Sequence, residues 1–228
     1  MNNLEFSGKL GTYKVIETQD GTPTLFSSYF DEACHSLHGA EAETYYNFIE
    51  GCNLAFLANK YPILNILEVG FGTGMGFRLT EKYMIENFPE VLLNFVSLEI
   101  DPTLVEWSKL KSESLKVFIG DARVTLSTYQ GEPFHAIFQD PFSPKKNPRL
   151  WSVEWFEDLK KHSHPEVVLS TYSASSSIRK ALMQAGWVVE ERQGFAGKRS
   201  STRAFLKGIM SEGLIRKLSS DKIKPVRD

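Results

Sequence analysis

Glu68-Val69-Gly70-Phe71-Gly72-Thr73-Gly74-Met75-Gly76 stands between an apolar run, Ile63 to Val69, and a helical pattern, Gly76 to Asn87. Glycine lets a backbone turn sharply and lets a ligand approach it closely. A glycine turn that leaves a strand and opens a helix is how open α/β sheets build the floor of a ligand site. The segments beyond it keep the same alternation. Leu92 to Ile100, Leu115 to Ile119, Phe134 to Gln139 and Val167 to Thr171 read as strands. Pro102 to Lys109, Val153 to Lys161 and Ser176 to Ala185 read as helices, the last closed by Gly186. Such alternation predicts an α/β fold with a mostly parallel sheet covered on both faces. Val188 to Arg192 and Ala204 to Lys207 predict a final antiparallel hairpin, which makes seven strands.

The turn is GxGxG, not the GxGxxG of dinucleotide sites, and the acidic Glu68 stands just before it. Both details favour S-adenosylmethionine. That cofactor has no phosphates to cradle, its amino-acid end is cationic, and backbone N–H groups meet its carboxylate. Gly70, Phe71, Gly72, Thr73 and Gly74 are the candidate cofactor loop, with Glu68 at its base. A buried carboxyl bonded to backbone is the other reading of Glu68. Glu99 lies 29 residues beyond Gly70, at the end of the second strand. A carboxylate there accepts hydrogen bonds from both ribose hydroxyls. Asp101 joins the candidate cofactor contacts, although Pro102 behind it gives it the pattern of a helix N-cap. Gly120-Asp121-Ala122-Arg123 follows the third strand, where Asp121 is an acceptor for the adenine amino group or a helix cap. Three acidic landmarks after three successive strands predict a Rossmann-like class I S-adenosylmethionine-dependent methyltransferase.

The fourth strand ends in Gln139-Asp140-Pro141-Phe142-Ser143-Pro144-Lys145-Lys146-Asn147-Pro148-Arg149-Leu150-Trp151. Strand carboxyl ends are where such a sheet places its ligands. Its D-P-F-S portion is similar to the D/N-P-P-Y/F motif of methyltransferases that act on amino groups. An Asp140 carboxylate accepts hydrogen bonds from an amine and aims the nitrogen lone pair at a methyl group. Displacement at a sulfonium methyl needs in-line geometry more than acid–base help. Asp140 is therefore the catalytic candidate and also a candidate cofactor contact.

The longer string is more specific. With the glycine turn, with Thr171-Tyr172-Ser173 and with Gly194-Phe195-Ala196-Gly197-Lys198-Arg199, it resembles one family from about Gly21 to Lys207. That family is the methyltransferase domain of the bifunctional tRNA 5-methylaminomethyl-2-thiouridine biosynthesis protein, MnmC-like, including its stand-alone forms. Its D-x-F-x-P-x-K-N-P-x-x-W pattern is met by Asp140, Phe142, Pro144, Lys146, Asn147, Pro148 and Trp151, and Ile178 to Trp187 is similar to its V-R-R-x-L-x-x-A-G-F. The chain departs from the pattern at Gly76, where Asn is common, and at Gln139, where many members have Leu. The resemblance implies methyl transfer from S-adenosylmethionine to the exocyclic amine of wobble 5-aminomethyl-2-thiouridine in tRNA. Bifunctional members add an FAD-dependent oxidase domain. At 228 residues this chain is too short for it, so methylation alone is expected, with no FAD and with a separate enzyme supplying the amine.

A wobble base in an anticodon loop is met by aromatic stacking and by cations on phosphates. Phe142, Trp151 and Tyr172 are the candidates for the base, with packing of the loop on the following helix as the other reading of Trp151 and Phe142. Lys146, Asn147, Lys198 and Arg199 are the chief candidates for the remaining contacts, with Lys145, Arg149 and Arg203 beside them. Charge agrees. Residues 1–141 hold 9 Lys+Arg against 19 Asp+Glu, and residues 142–228 hold 17 against 9, so the second half suits a polyanion.

The remainder sets limits. Thr12 to Ile16 and Thr24 to Tyr29, joined at Asp20-Gly21, predict a hairpin, and Ala40 to Asn59 an amphipathic helix. Residues 1–60 are taken as an extension, 61–210 as the methyltransferase domain and 211–228 as a basic tail with a short helix and a frayed end. No apolar run approaches the ~20 residues of a membrane span, and Met1 to Glu5 is no signal peptide. Cys34 and Cys52 lack metal-ligand spacing and read as reduced thiols of a cytoplasmic protein. His35 and His38 lack a third ligand, so no metal is expected. Rival readings are a methyltransferase for a small amine or protein side chain, a nonenzymatic RNA-binding module on the same fold, and an NAD-linked oxidoreductase.

Overall fold

The computed structural model describes residues 4–37, 39–195 and 200–228. The chain opens as a four-stranded antiparallel sheet of β1 (Glu5–Ser7), β2 (Thr12–Glu17), β3 (Pro23–Ser27) and β4 (Glu32–Ala33), in that order. The predicted hairpin is its centre, with Gly21 in left-handed backbone (φ 79°) at the turn. The helix expected over residues 40–59 is broken. Helix α1 (Ala40–Thr44) runs into a π-helical turn (Tyr45–Glu50), in which the Gly51 N–H reaches five residues back to the Tyr46 carbonyl at 3.1 Å. Asn53 then takes left-handed backbone (φ 52°), and α2 (Leu54–Lys60) starts on a new axis.

From β5 (Ile63–Val69) the alternation continues: α3 (Met75–Asn87), β6 (Leu92–Glu99), α4 (Pro102–Ser108), β7 (Leu115–Ile119), α5 (Ala122–Ser127), a helix the sequence pattern did not predict, β8 (Phe134–Gln139), α6 (Val153–Lys161), β9 (Ser163–Thr171), which starts earlier than its apolar run, α7 (Ser176–Gln184), β10 (Val188–Gln193), β11 (Ser200–Phe205), which starts and ends earlier than the predicted Ala204 to Lys207, and α8 (Glu212–Leu218). These seven strands form one sheet in the order β10-β11-β9-β8-β5-β6-β7. Neighbours from β9 to β7 are parallel, and β11 is antiparallel to both β9 and β10. The chain leaves β5 toward β6 and β7, then returns to lay β8 on the other side of β5. The topological switch point, where such sheets bind ligands, is therefore the gap between the carboxyl ends of β5 and β8.

Central strands read as continuous apolar runs because both their faces are covered. Leu67 and Val69 pack with Trp151, Trp155, Phe156 and Trp187 on one side. Leu64 and Ile66 pack with Phe48, Leu54, Leu57 and Phe77 on the other. Residues 48–58 thus belong to the core of the large sheet, and the appended unit is the small sheet of residues 5–33, not the whole of 1–60. The tail is also corrected. Leu214 and Leu218 of α8 sit in the main core, the Val153 N–H donates to the Val226 carbonyl at 3.0 Å, and Arg227 pairs with Glu154 at 2.8 Å. The end of the chain is docked, not frayed.

The small sheet is fastened at the carboxyl edge of the large one. Phe6 stacks on Tyr13 and on Trp107 of α4, with ring centroids 5.5 and 6.1 Å apart. Asp101, fully buried, caps α4 through the Thr103 N–H at 3.0 Å. Its second oxygen accepts from the Tyr13 hydroxyl (3.0 Å) and the Leu10 N–H (3.2 Å). Asp101→Ala removes a cap, about 1 kcal/mol, and leaves a buried hydroxyl unpaired, about 1–3 kcal/mol more. Urea unfolding should show a loss of about 2–4 kcal/mol. A loss under about 0.5 kcal/mol, the size of an ordinary surface substitution, would show that Asp101 is not the anchor.

Candidate active site

The glycine turn is shaped by its crossing of the switch point. Gly70 (φ 95°) comes so close to the end of β8 that a Cβ there would lie 2.8 Å from the Asp140 carbonyl oxygen. Gly72 (φ 54°) and Gly74 (φ 74°) continue the left-handed path into α3. Below the turn, Glu68 is buried and its carboxylate accepts the Ser97 hydroxyl at 2.7 Å. Burial pushes its pKa up to about 8. Its other oxygen would lie 1.9 Å from a Cβ at position 76. The departure from Asn at Gly76 is therefore what makes room for the Glu68 carboxylate.

Glu99 ends β6 with one oxygen on the Gly72 N–H (3.1 Å) and the other on the Asp101 N–H (2.9 Å). Burial lifts its pKa to about 7. Asp121 caps α5 through the Arg123 N–H at 2.9 Å and lies 3.8 Å from the Arg149 guanidinium.

The Asp140 loop is held from all sides. The Pro141 carbonyl accepts the Tyr172 hydroxyl at 2.8 Å, and the Phe142 carbonyl accepts the Trp151 indole N–H at 2.9 Å. Gln139, fully buried, donates to the Leu150 carbonyl (2.6 Å) and accepts from the Trp155 indole (3.2 Å). The amide at this departure from Leu thus ties the loop's two ends together. From the small sheet, the Glu32 carboxylate accepts the Ser143 N–H (3.1 Å), Phe30 stacks on Phe142 (4.2 Å) and Lys146 pairs with Asp31 (2.9 Å).

One cavity of about 610 Å³ joins these parts. Its lining includes Glu68, Gly70, Phe71, Gly72, Glu99, Gly120 and Asp121, together with Asp140, Phe142, Lys146, Asn147 and Tyr172. Several candidates do not line the cavity. Asp101 lies outside the lining and serves as cap and anchor. Thr73 and Gly74 shape the turn without lining the cavity. Trp151 is fully buried, packed edge-on to Tyr172 at 5.7 Å, so it braces the loop and has no face to offer a base. Lys198 and Arg199 lie outside the described residues.

Sequence reasoning missed the roof. Tyr29, Phe30, Glu32, Cys34, His35, Thr44 and Asn47 line the cavity from the small sheet and the π-helical turn. One usable signal was Asp31, in left-handed backbone (φ 50°) directly after the Tyr29-Phe30 pair. Another was Asn47, a polar residue inside the apolar pattern of residues 45–57. In the cavity, burial and the nearby Asp140 and Glu32 charges push the Tyr172 hydroxyl well above its ordinary pKa. Burial, with the Glu99, Asp140 and Glu32 charges, does the same to the Cys34 thiol. Burial drops His35 to about 4, and its Nδ1 faces the Thr24 hydroxyl at 2.8 Å. Cys34 and Cys52 are free thiols, and among the described residues no cluster of His, Cys, Asp or Glu would hold a metal. No described helix is long and apolar enough to cross a membrane.

The fold and cavity define a class: a Rossmann-like α/β protein with a glycine turn and strand-end carboxylates gathered at its switch point. The S-adenosyl-L-methionine-dependent methyltransferase family matches residues 80–207, more than half of the chain, and the chain belongs to that family. Its cofactor is S-adenosylmethionine. The crystal structure of MNMC2 from Aquifex aeolicus covers 99% of this chain and 81% of its own, with a TM-score of 0.84 and 30% identity. The bifunctional protein MnmC of tRNA 5-methylaminomethyl-2-thiouridine biosynthesis from Leptospira interrogans is 30% identical over 89% of this chain, and that of Legionella pneumophila 28% over 81%. The chain spans about a third of the length of these curated relatives (36% and 35%). A probable spermidine synthase from Corynebacterium glutamicum shares the fold, with a TM-score of 0.65 at 16% identity.

Proposed function

We propose that the chain methylates the exocyclic amine of 5-aminomethyl-2-thiouridine at the wobble position of tRNA. The names of its relatives in Leptospira and Legionella point to this pathway. The observation that carries the reading is that Asp140 lines one cavity together with Glu68, Glu99, Phe142 and Tyr172. The residues fit S-adenosylmethionine: the turn is free of side chains where it must be approached, and acidic groups stand where its cationic end and its hydroxyls need partners. When bound, the cofactor supplies an electrophilic methyl group.

The protein's share is orientation. Asp140 accepts the amine N–H bonds and fixes the lone-pair direction, while Phe142 and Tyr172 wall off water. A free alkyl amine has a pKa of about 10, so its neutral form costs about 4 kcal/mol at pH 7. Tyr172 and Cys34 hold their own protons too tightly to act as bases. Asp140, in the cavity lining, can take up the departing proton. Residues 142–151 and Arg203 supply cations for phosphate. A separate enzyme supplies the amine.

Glu99, as the ribose acceptor, must be ionised. With its pKa raised to about 7 by burial, its ionised fraction grows about tenfold from pH 6 to pH 8. The affinity for S-adenosylmethionine should rise by about the same factor over that range, and Glu99→Gln should flatten the profile. Calorimetry at the two pH values checks this. A pH-independent affinity in the unaltered protein removes Glu99 from the ribose role.

Three phosphate contacts on a single strand predict a roughly tenfold or greater loss of tRNA affinity between 50 and 200 mM salt. A flat salt response contradicts an electrostatic RNA interface. Lys146 and Arg149 are paired with Asp31 and Asp121, which favours a second reading, a small amine as acceptor. Exposed pairs of this kind are worth about 0–1 kcal/mol, so a phosphate displaces them easily. Labelled S-adenosylmethionine with tRNA from a strain lacking this methylation, followed by nucleoside analysis, separates the two. The proposal expects label in 5-methylaminomethyl-2-thiouridine. Label confined to added small amines supports the second reading and ends the first.

A further inference from the structure

The π-helical turn brings an unusual group to the cavity. Asn47 is 2% exposed, lines the cavity, and its Oδ1 is buried without a hydrogen-bond partner among the described residues. Leaving a buried acceptor unmade costs about 1–3 kcal/mol, so folded chains rarely keep one without use. The surroundings hold it in place. The Ser170 hydroxyl of β9 donates to the Asn47 carbonyl oxygen. Gly51 makes that approach possible, since a Cβ there would lie 2.3 Å from the Ser170 oxygen and 1.8 Å from the Asn47 carbonyl oxygen. The extra residue per turn that defines a π-helix re-aims a side chain, and such turns recur at functional sites.

Its location decides which molecule it meets. The π-helical turn packs on α3 and on β9, whose carboxyl end carries Tyr172, and its Phe48 ring stacks on Phe138 of β8, the strand that leads to Asp140 (5.1 Å). The cofactor carboxylates Glu99 and Asp121 belong to the far side of the sheet, after β6 and β7. We propose that Asn47 is a positioning residue for the methyl acceptor: its Oδ1 accepts a hydrogen bond from a substrate N–H and holds the amine or its base in register with Asp140. This rests on the reading that the acceptor is an aminomethyl nucleoside. It extends that reading from one polar contact to two. A site built with a buried unpaired acceptor rejects analogues that lack the donor.

Two variants and two readouts test it. Asn47→Leu removes the orphan acceptor while keeping the branch at Cγ, and Asn47→Asp keeps an oxygen acceptor while losing the amide donor. Binding of the 5-aminomethyl-2-thiouridine nucleoside to enzyme loaded with S-adenosylhomocysteine is measured by calorimetry, alongside Tm and the affinity for S-adenosylmethionine. Asn47→Leu should bind the nucleoside at least tenfold more weakly, keep cofactor affinity within twofold, and melt at the same or a higher temperature. Asn47→Asp should retain nucleoside binding within a few fold. A merely structural Asn would instead lose Tm in Asn47→Leu and leave nucleoside affinity intact, and that result overturns the proposal. So does a loss confined to cofactor binding. If the unaltered enzyme ignores the nucleoside but methylates a small amine, the tRNA reading fails. The same Leu and Asp comparison on that amine then decides Asn47 by itself: a tenfold rise in its KM in Asn47→Leu alone supports the acceptor role, and an unchanged KM overturns it. An unaltered enzyme that methylates neither tRNA nor a small amine ends both readings.

Discussion

Asp140→Ala should lower the rate of methyl transfer by well over tenfold, approaching a hundredfold, while leaving S-adenosylmethionine affinity within a few fold. Orientation of a nucleophile is worth several kcal/mol when geometry limits the rate, and tenfold is about 1.4 kcal/mol. The asymmetry follows from where the residue stands. Its backbone is fixed to β5, with the Asp140 N–H donating to the Val69 carbonyl at 3.1 Å, so truncating the side chain leaves the glycine turn in position. Glu68 and Glu99, carried by β5 and β6, are untouched. Single-turnover rates at saturating cofactor, with calorimetry for affinity, give both numbers. A near-normal rate in Asp140→Ala removes the residue from the mechanism.

Gly70→Ala should be the more damaging change to cofactor binding. The added Cβ meets a backbone oxygen at 2.8 Å, and that oxygen belongs to the residue after β8, which cannot retreat without opening the sheet. The backbone at φ 95° adds strain of order 1–3 kcal/mol for any residue with a side chain. Affinity for S-adenosylmethionine should fall at least about a hundredfold, and activity with it. Gly21→Ala is the control. It shares a left-handed backbone (φ 79°), yet its nearest neighbour is the Glu17 carboxylate at 3.6 Å. It should cost about 1 kcal/mol of stability and no activity. Equal effects of the two substitutions would mean that strain alone, and not closeness to Asp140, makes Gly70 necessary.

The large sheet was legible because its strands are buried on both faces. β5, β7 and β8 have the bounds that their apolar runs predict. What escaped was short or polar. Helix α5 spans only Ala122–Ser127, and β1 and β4 have three and two residues, too few for any period to show. The site was legible where chemistry repeats at strand ends: Glu68, Glu99, Asp121 and Asp140 all reach one cavity. It was illegible where contacts come from far along the chain. Glu32 and Ser143 are 111 residues apart, and no local pattern announces their bond. Trp151 shows the opposite error. An indole beside a catalytic loop suggests stacking, yet its N–H was needed for the Phe142 carbonyl, and its rings went into the core.

The small N-terminal sheet gives the site its closed shape. Phe30, Asp31 and Glu32 meet the Asp140 loop, while Asp101 holds the sheet down at its other end. The same element therefore joins the end of β6, where Asp101 follows Glu99, to the end of β8, where Ser143 follows Asp140.

A crystal structure with S-adenosylhomocysteine tests the whole scheme most directly. The ribose should rest on the Glu99 carboxylate, the amino-acid end on the Gly70–Gly72 turn, and the sulfur should face the Asp140 side chain across the cavity. A ligand bound away from the β5–β8 gap, or an Asp140 carboxylate turned from the sulfur, would contradict it.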